Sequence, residues 1–135
     1  MRLTTLLAAL VLTGCATNAA TAPARDVPVN PDGTVALRVG DRAVAGELTV
    51  ELRDIESDSR CAVDVVCVWA GDAAVALRLD RGGQRAGTTL HTTLEPKRVE
   101  YFGYDVALET VAPPNDSRRP TEKGEYVVTL RITRP

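Results

Sequence analysis

Apolar and polar positions alternate along most of the chain. Val35, Leu37 and Val39 share one face of a segment whose other face carries Ala36 and Arg38. The same two-residue period runs through Leu48, Val50 and Leu52, through Val75, Leu77 and Leu79, and through Leu90, Thr92 and Leu94. It returns in Tyr104, Val106 and Leu108 and in Tyr126, Val128, Leu130 and Ile132. Strict alternation places every second side chain on one side of a pleated backbone, which is the pattern of half-buried strands. The breaks between segments are turn chemistry: Gly40-Asp41, Arg81-Gly82-Gly83, Pro113-Pro114-Asn115-Asp116 and Lys123-Gly124. No window of ten or more residues carries a helical stripe. The spacing predicts an all-β fold, a single antiparallel β-sandwich, immunoglobulin-like or a small barrel, with one local disulfide.

The first residues follow a different rule. Met1 and Arg2 precede an apolar run from Leu3 to Leu12 broken only by Thr4 and Thr5. A positive start before a short apolar stretch is the pattern of a secretory signal peptide. The run is about ten residues, against the roughly 20 that a membrane-spanning helix needs. It ends Leu12-Thr13-Gly14-Cys15. This resembles the lipobox of bacterial lipoproteins, in which small residues precede a Cys whose thiol accepts a diacylglycerol. The resemblance implies a signal peptide over 1–14, lipidation at Cys15 and anchorage to a membrane by acyl chains. Ala16, rather than Asp, follows that Cys. By the sorting pattern of such lipoproteins this implies the outer membrane of a two-membrane organism. Residues 15–33 are dominated by Ala, Thr, Pro and Asn without periodicity and read as a flexible tether. The β-domain is expected over 34–135.

Composition narrows the chemistry. The 135 residues hold 16 Lys and Arg against 18 Asp and Glu. No basic excess exists to grip nucleic acid. One His and one Met leave little for His-based catalysis or a His-rich metal site. His91 alternates with Leu90 and Thr92 and is expected at the surface. No nucleophile elbow, zinc-helix or phosphate-loop pattern occurs. No cofactor, no metal and no enzymatic activity are expected.

Cys15 aside, two cysteines remain. Cys61 and Cys67 lie in a chain addressed to an oxidising compartment, close enough for the backbone to reverse between them. They are read as a structural disulfide. A redox pair is the alternative, but this spacing lacks the C-x-x-C arrangement that activates a thiol. Cys67 and Trp69 are two residues apart and would share one face of a strand, which makes Trp69 a core residue packed on the disulfide. The competing reading is a partly exposed Trp69 that forms a ligand platform with Arg60 and Asp72. The acids Asp54, Glu56, Asp58, Asp64 and Asp72 start like a calcium loop, but Ser59 stands where the turn needs Gly and Val65 where a bidentate Glu is needed. They read instead as a solvated strand edge.

The run Asp58-Ser59-Arg60-Cys61-Ala62-Val63-Asp64-Val65-Val66-Cys67-Val68-Trp69-Ala70-Gly71-Asp72-Ala73 resembles the central motif D-S-R-C-P-x-x-V-x-C-V-W-x-G-x-A of small bacterial exported proteins. Ala62 stands where that pattern has Pro. The resemblance implies export, a β-fold and the disulfide, and brings no activity. The functional expectation is a membrane-anchored envelope lipoprotein that acts as a non-enzymatic binding or structural module. The alternative is an inhibitor of a protease or lysozyme. Such an inhibitor would project apolar or aromatic loop tips at one end of the sandwich, and a purely structural module would not. The C-terminal stretch from Gly124 to Pro135 has a faint likeness to the last strand of chagasin-type inhibitors, without their N-P-T-T-G loop.

Overall fold

The computed structural model describes residues 23–135. The stretch expected to be a signal peptide, 1–14, and the expected lipidation site Cys15 lie outside the described residues. Among the described residues nine strands follow one another: β1 (Asp26–Pro28), β2 (Thr34–Leu37), β3 (Arg42–Ala45), β4 (Leu48–Asp58), β5 (Ala73–Arg81), β6 (Gln84–His91), β7 (Arg98–Tyr101), β8 (Tyr104–Ala112) and β9 (Val127–Thr133). They form a five-stranded sheet in the order β1-β3-β4-β5-β6 and a four-stranded sheet in the order β2-β9-β8-β7. The two sheets make a sandwich that does not close into a barrel.

The alternating positions fill the space between the sheets. Leu48, Val50 and Leu52 of β4 and Val75, Leu77 and Leu79 of β5 are buried on one side. Val35 and Leu37 of β2, Tyr104 and Val106 of β8, and Val128, Leu130 and Ile132 of β9 are buried on the other. Burial of aliphatic surface supplies the main drive for this assembly, at about 25 cal/mol per Å² of apolar area removed from water. β5 and β6 are joined by Gly82-Gly83 between the paired Arg81 and Gln84. Both glycines have positive φ, 60° and 86°. That is the backbone of the two-residue turn whose twist suits adjoining antiparallel strands.

Several expectations are corrected. β1 falls inside the stretch read as tether, and it pairs parallel with β3, the one parallel pairing among the described strands. Ion pairs Arg25–Asp41 and Arg42–Asp26, each 3.0 Å, reinforce it. β4 runs on past Leu52 to Asp58: a register shift after Leu52 brings Ile55 inward, and pairing with β5 resumes after a second shift beyond Ile55. β3 pairs only with Leu48–Glu51, so the part of β4 that carries Asp54, Glu56 and Asp58 bonds to β5 alone and is an edge there, although Asp58 itself is turned out of solvent. β6 ends at His91, so Leu94 leaves the sheet and is exposed.

Candidate functional site

The long connection between β4 and β5, residues 59–72, rises from one end of the sandwich. Its base is a narrow neck. Ser59 N–H donates to the Asp72 carbonyl at 2.7 Å, and Cys61 N–H donates to the Ala70 carbonyl at 3.1 Å. The neck is close enough that only glycine fits at 71. Gly71 has φ 66°, and a Cβ there would sit 1.8 Å from the Ser59 carbonyl oxygen. Beyond the neck the Cys61–Cys67 disulfide closes the loop, with Cα atoms 5.9 Å apart.

Two polar networks fasten the neck to the sheets. In the first, Arg60 donates from Nε and Nη2 to the Asp58 carboxylate at 2.8 and 2.7 Å. It also donates to the carbonyls of Val111 and Pro113. Tyr126 Oη and Asn115 Nδ2 complete the shell around Asp58 at 3.0 and 3.2 Å. Both charges are removed from solvent, with side-chain exposures of 7% for Asp58 and 16% for Arg60. Burial pushes the Asp58 carboxyl up, but the donors from Arg60 and Tyr126 outweigh it and hold the group below the usual carboxylate range. Asp58 in turn holds the Arg60 guanidinium in its charged form.

In the second network Asp72 accepts from the backbone N–H groups of Thr93 and Leu94, at 2.8 and 3.3 Å, and from the Thr92 hydroxyl at 3.2 Å. Its other oxygen lies 2.6 Å from His91 Nδ1. Burial raises the Asp72 carboxyl, while the His91 contact and the two backbone donors lower it further, to about 2. His91, expected as a plain surface residue, thus pins the 92–97 turn to the neck. A third tie fixes the tip. Asp64 accepts from Ser117 N–H at 2.8 Å and from the Ser117 hydroxyl, and Val63 N–H donates to the Asn115 carbonyl at 2.8 Å.

What this frame holds up is apolar. Trp69 is 83% exposed, Val68 90% and Val66 102%. Val63 and Val65 are exposed beside them, and Leu94 adds a sixth apolar side chain from the neighbouring turn. The expectation that Trp69 packs in the core is overturned. Residues 61–72 form no strand, so the two-residue period that placed Trp69 beside Cys67 on an inner face does not apply. Of the three residues read as a binding platform, Trp69 faces solvent. Arg60 and Asp72 direct their polar groups to this chain's own backbone and side chains. The apolar tip itself was missed from sequence. Its signal was a run, Val65-Val66-Cys67-Val68-Trp69, that fails to alternate.

No protein-family model, no curated protein and no solved structure matches this chain.

Proposed function

We propose that the chain is a membrane-anchored envelope lipoprotein, held through lipid on Cys15 at the outer membrane, that acts as a non-enzymatic binding module through its apolar loop end. One observation carries this reading: Val66, Val68 and Trp69 stand in solvent on a loop tied down at its neck, its disulfide and its tip. Exposed contiguous apolar surface is costly to keep in water and marks interaction sites. A rigid presentation lowers the ordering entropy that binding must overcome, and Trp is the residue type most enriched among energetic hot spots. The same observation favours, as a second reading, an inhibitor of a protease or lysozyme, since a projecting apolar loop is the element such a protein would insert.

Two measurements test the proposal. Cys15→Ser should lose incorporation of labelled palmitate and leave the membrane fraction; a variant that still takes up the label refutes the anchor. Val66→Asp should keep the wild-type melting temperature and lose retention of the binding partner. Retention equal to wild type refutes the loop as the binding element. A panel of lysozymes and proteases left fully active by stoichiometric protein refutes the inhibitor reading.

A further inference from the structure

We infer that the apolar loop is a second membrane contact, which seats in the headgroup–acyl boundary of the same lipid surface that holds the anchor. The inference rests on the anchored reading of Cys15 and names the occupant of the loop end as a lipid bilayer.

The direction in which the chain enters the sandwich carries the inference. β4 runs toward the loop and ends at Asp58. β3 is antiparallel to β4 and therefore runs away from the loop. β1 is parallel to β3 and runs away from it too. The chain that precedes Asp26 consequently arrives from the loop end. Asp26 is level with Arg42, and Arg42 with Glu51. From that level to Asp58 is seven residues of strand, roughly 20 Å once the two irregularities are allowed for. Ten residues link Cys15 to Arg25, a span of at most about 35 Å. At full extension a lipid on Cys15 would reach the plane of Asp58 and up to about 15 Å beyond it. Anchor and loop tip can meet one surface.

The tip has the chemistry that such a surface selects. From Cys61 to Ala70 the only charged residue is Asp64, and its carboxylate is turned back onto Ser117. What remains outward is Val63, Val65, Val66, Val68 and Trp69, with Leu94 alongside. Trp prefers the interface between headgroups and acyl chains, where its ring is apolar and its N–H stays wet. A diacylglycerol on Cys15 supplies two acyl chains, enough to hold the chain at the surface, so the loop contact is needed to orient the domain on that surface and not to retain it.

Trp69 is the only Trp in the chain, so intrinsic fluorescence reports this loop alone. The test uses the lipidated mature chain reconstituted in vesicles of phosphatidylethanolamine with a minor share of phosphatidylglycerol, with and without bromine on the upper acyl carbons. Flotation is measured in parallel. Docking predicts a blue shift on reconstitution, quenching by the brominated lipid and loss of quenching by aqueous iodide. The double variant Val66→Asp/Val68→Asp, at two positions in open solvent, should still float, emit to the red and regain iodide quenching. Wild type that floats yet keeps red, iodide-accessible emission overturns the docking and leaves the anchor standing. A mature chain that carries no lipid and does not float overturns the anchor, and the docking with it. A blue shift that requires an envelope protein rather than vesicles assigns the loop to a protein partner and overturns the inference.

Discussion

Arg60→Met isolates the contribution of the latch at the base of the loop. The substitution keeps an apolar stem of similar reach and removes the guanidinium. Asp58 then loses two charge-assisted hydrogen bonds, and the carbonyls of Val111 and Pro113 lose their side-chain donor. Breaking a buried ion pair from one side typically costs about 3 to 5 kcal/mol, because the remaining charge stays buried without a partner. Here water reaches the Arg60 side chain at 16% exposure, and Asp58 retains Tyr126 and Asn115 as donors. The lower end, about 3 kcal/mol, is therefore expected. For a domain of this size that is a fall in melting temperature of about 12 °C. Urea titration followed by circular dichroism reads the sheets, and Trp69 fluorescence in the same titration reads the loop. The double variant Asp58→Asn/Arg60→Met should be more stable than Arg60→Met alone, since the orphaned charge is gone. An Arg60→Met protein within about 0.5 kcal/mol of wild type, the range of an ordinary surface substitution, refutes the latch.

Gly71→Ala should destabilise by more than the roughly 1 kcal/mol of a glycine-specific backbone position, because its Cβ would collide with the Ser59 carbonyl; a melting temperature equal to wild type counts against the neck. Reduction of Cys61–Cys67 removes a short closed loop, worth about 2 to 2.5 kcal/mol on the chain-entropy model. It should lower the melting temperature by a few degrees and the anisotropy of Trp69 fluorescence while the far-ultraviolet dichroism stays unchanged; a collapse of the dichroism refutes a local role. Asp72 titrates at about 2 when folded, below its ordinary 3.8. Its stabilisation is fully present above pH 4 and is lost as pH falls toward 2, about 1 to 2 kcal/mol after allowance for solvent screening. Asp72→Asn should flatten stability between those pH values, and an unchanged profile refutes the assignment.

The sandwich was legible where burial is one-sided. β2, β5 and β9 carry regular alternation, as does β8 up to its register shift after Leu108, and their inward residues form the core as expected. β1, β3 and β7 bury only Ala43 among them, so no apolar face marks them in the sequence. β6 contributes only Leu90 to the buried set, so its Gln84–Thr89 portion lacks an apolar face to read. β4 was cut short because its irregularities break the period after Leu52 while pairing continues. At the candidate site the disulfide followed from spacing and from the expectation of an oxidising compartment. The Arg60 latch did not, since Asn115 and Tyr126 join it from 55 to 68 residues away. Trp69 was misplaced because alternation was extended across a segment that no neighbouring strand pairs.

Under the anchorage proposed above, the parallel pairing of β1 has a mechanical consequence. Tension from an anchor beyond the loop end pulls on Asp26–Pro28 along the axis of the strand. The bonds to β3 are then loaded together in shear, not opened one at a time as in a peeled hairpin. Arg25–Asp41 and Arg42–Asp26 cross the same seam and resist the same slide. Force applied at a lipid on Cys15 would thereby enter the five-stranded sheet through β3, and not open the sandwich residue by residue from its N-terminal end.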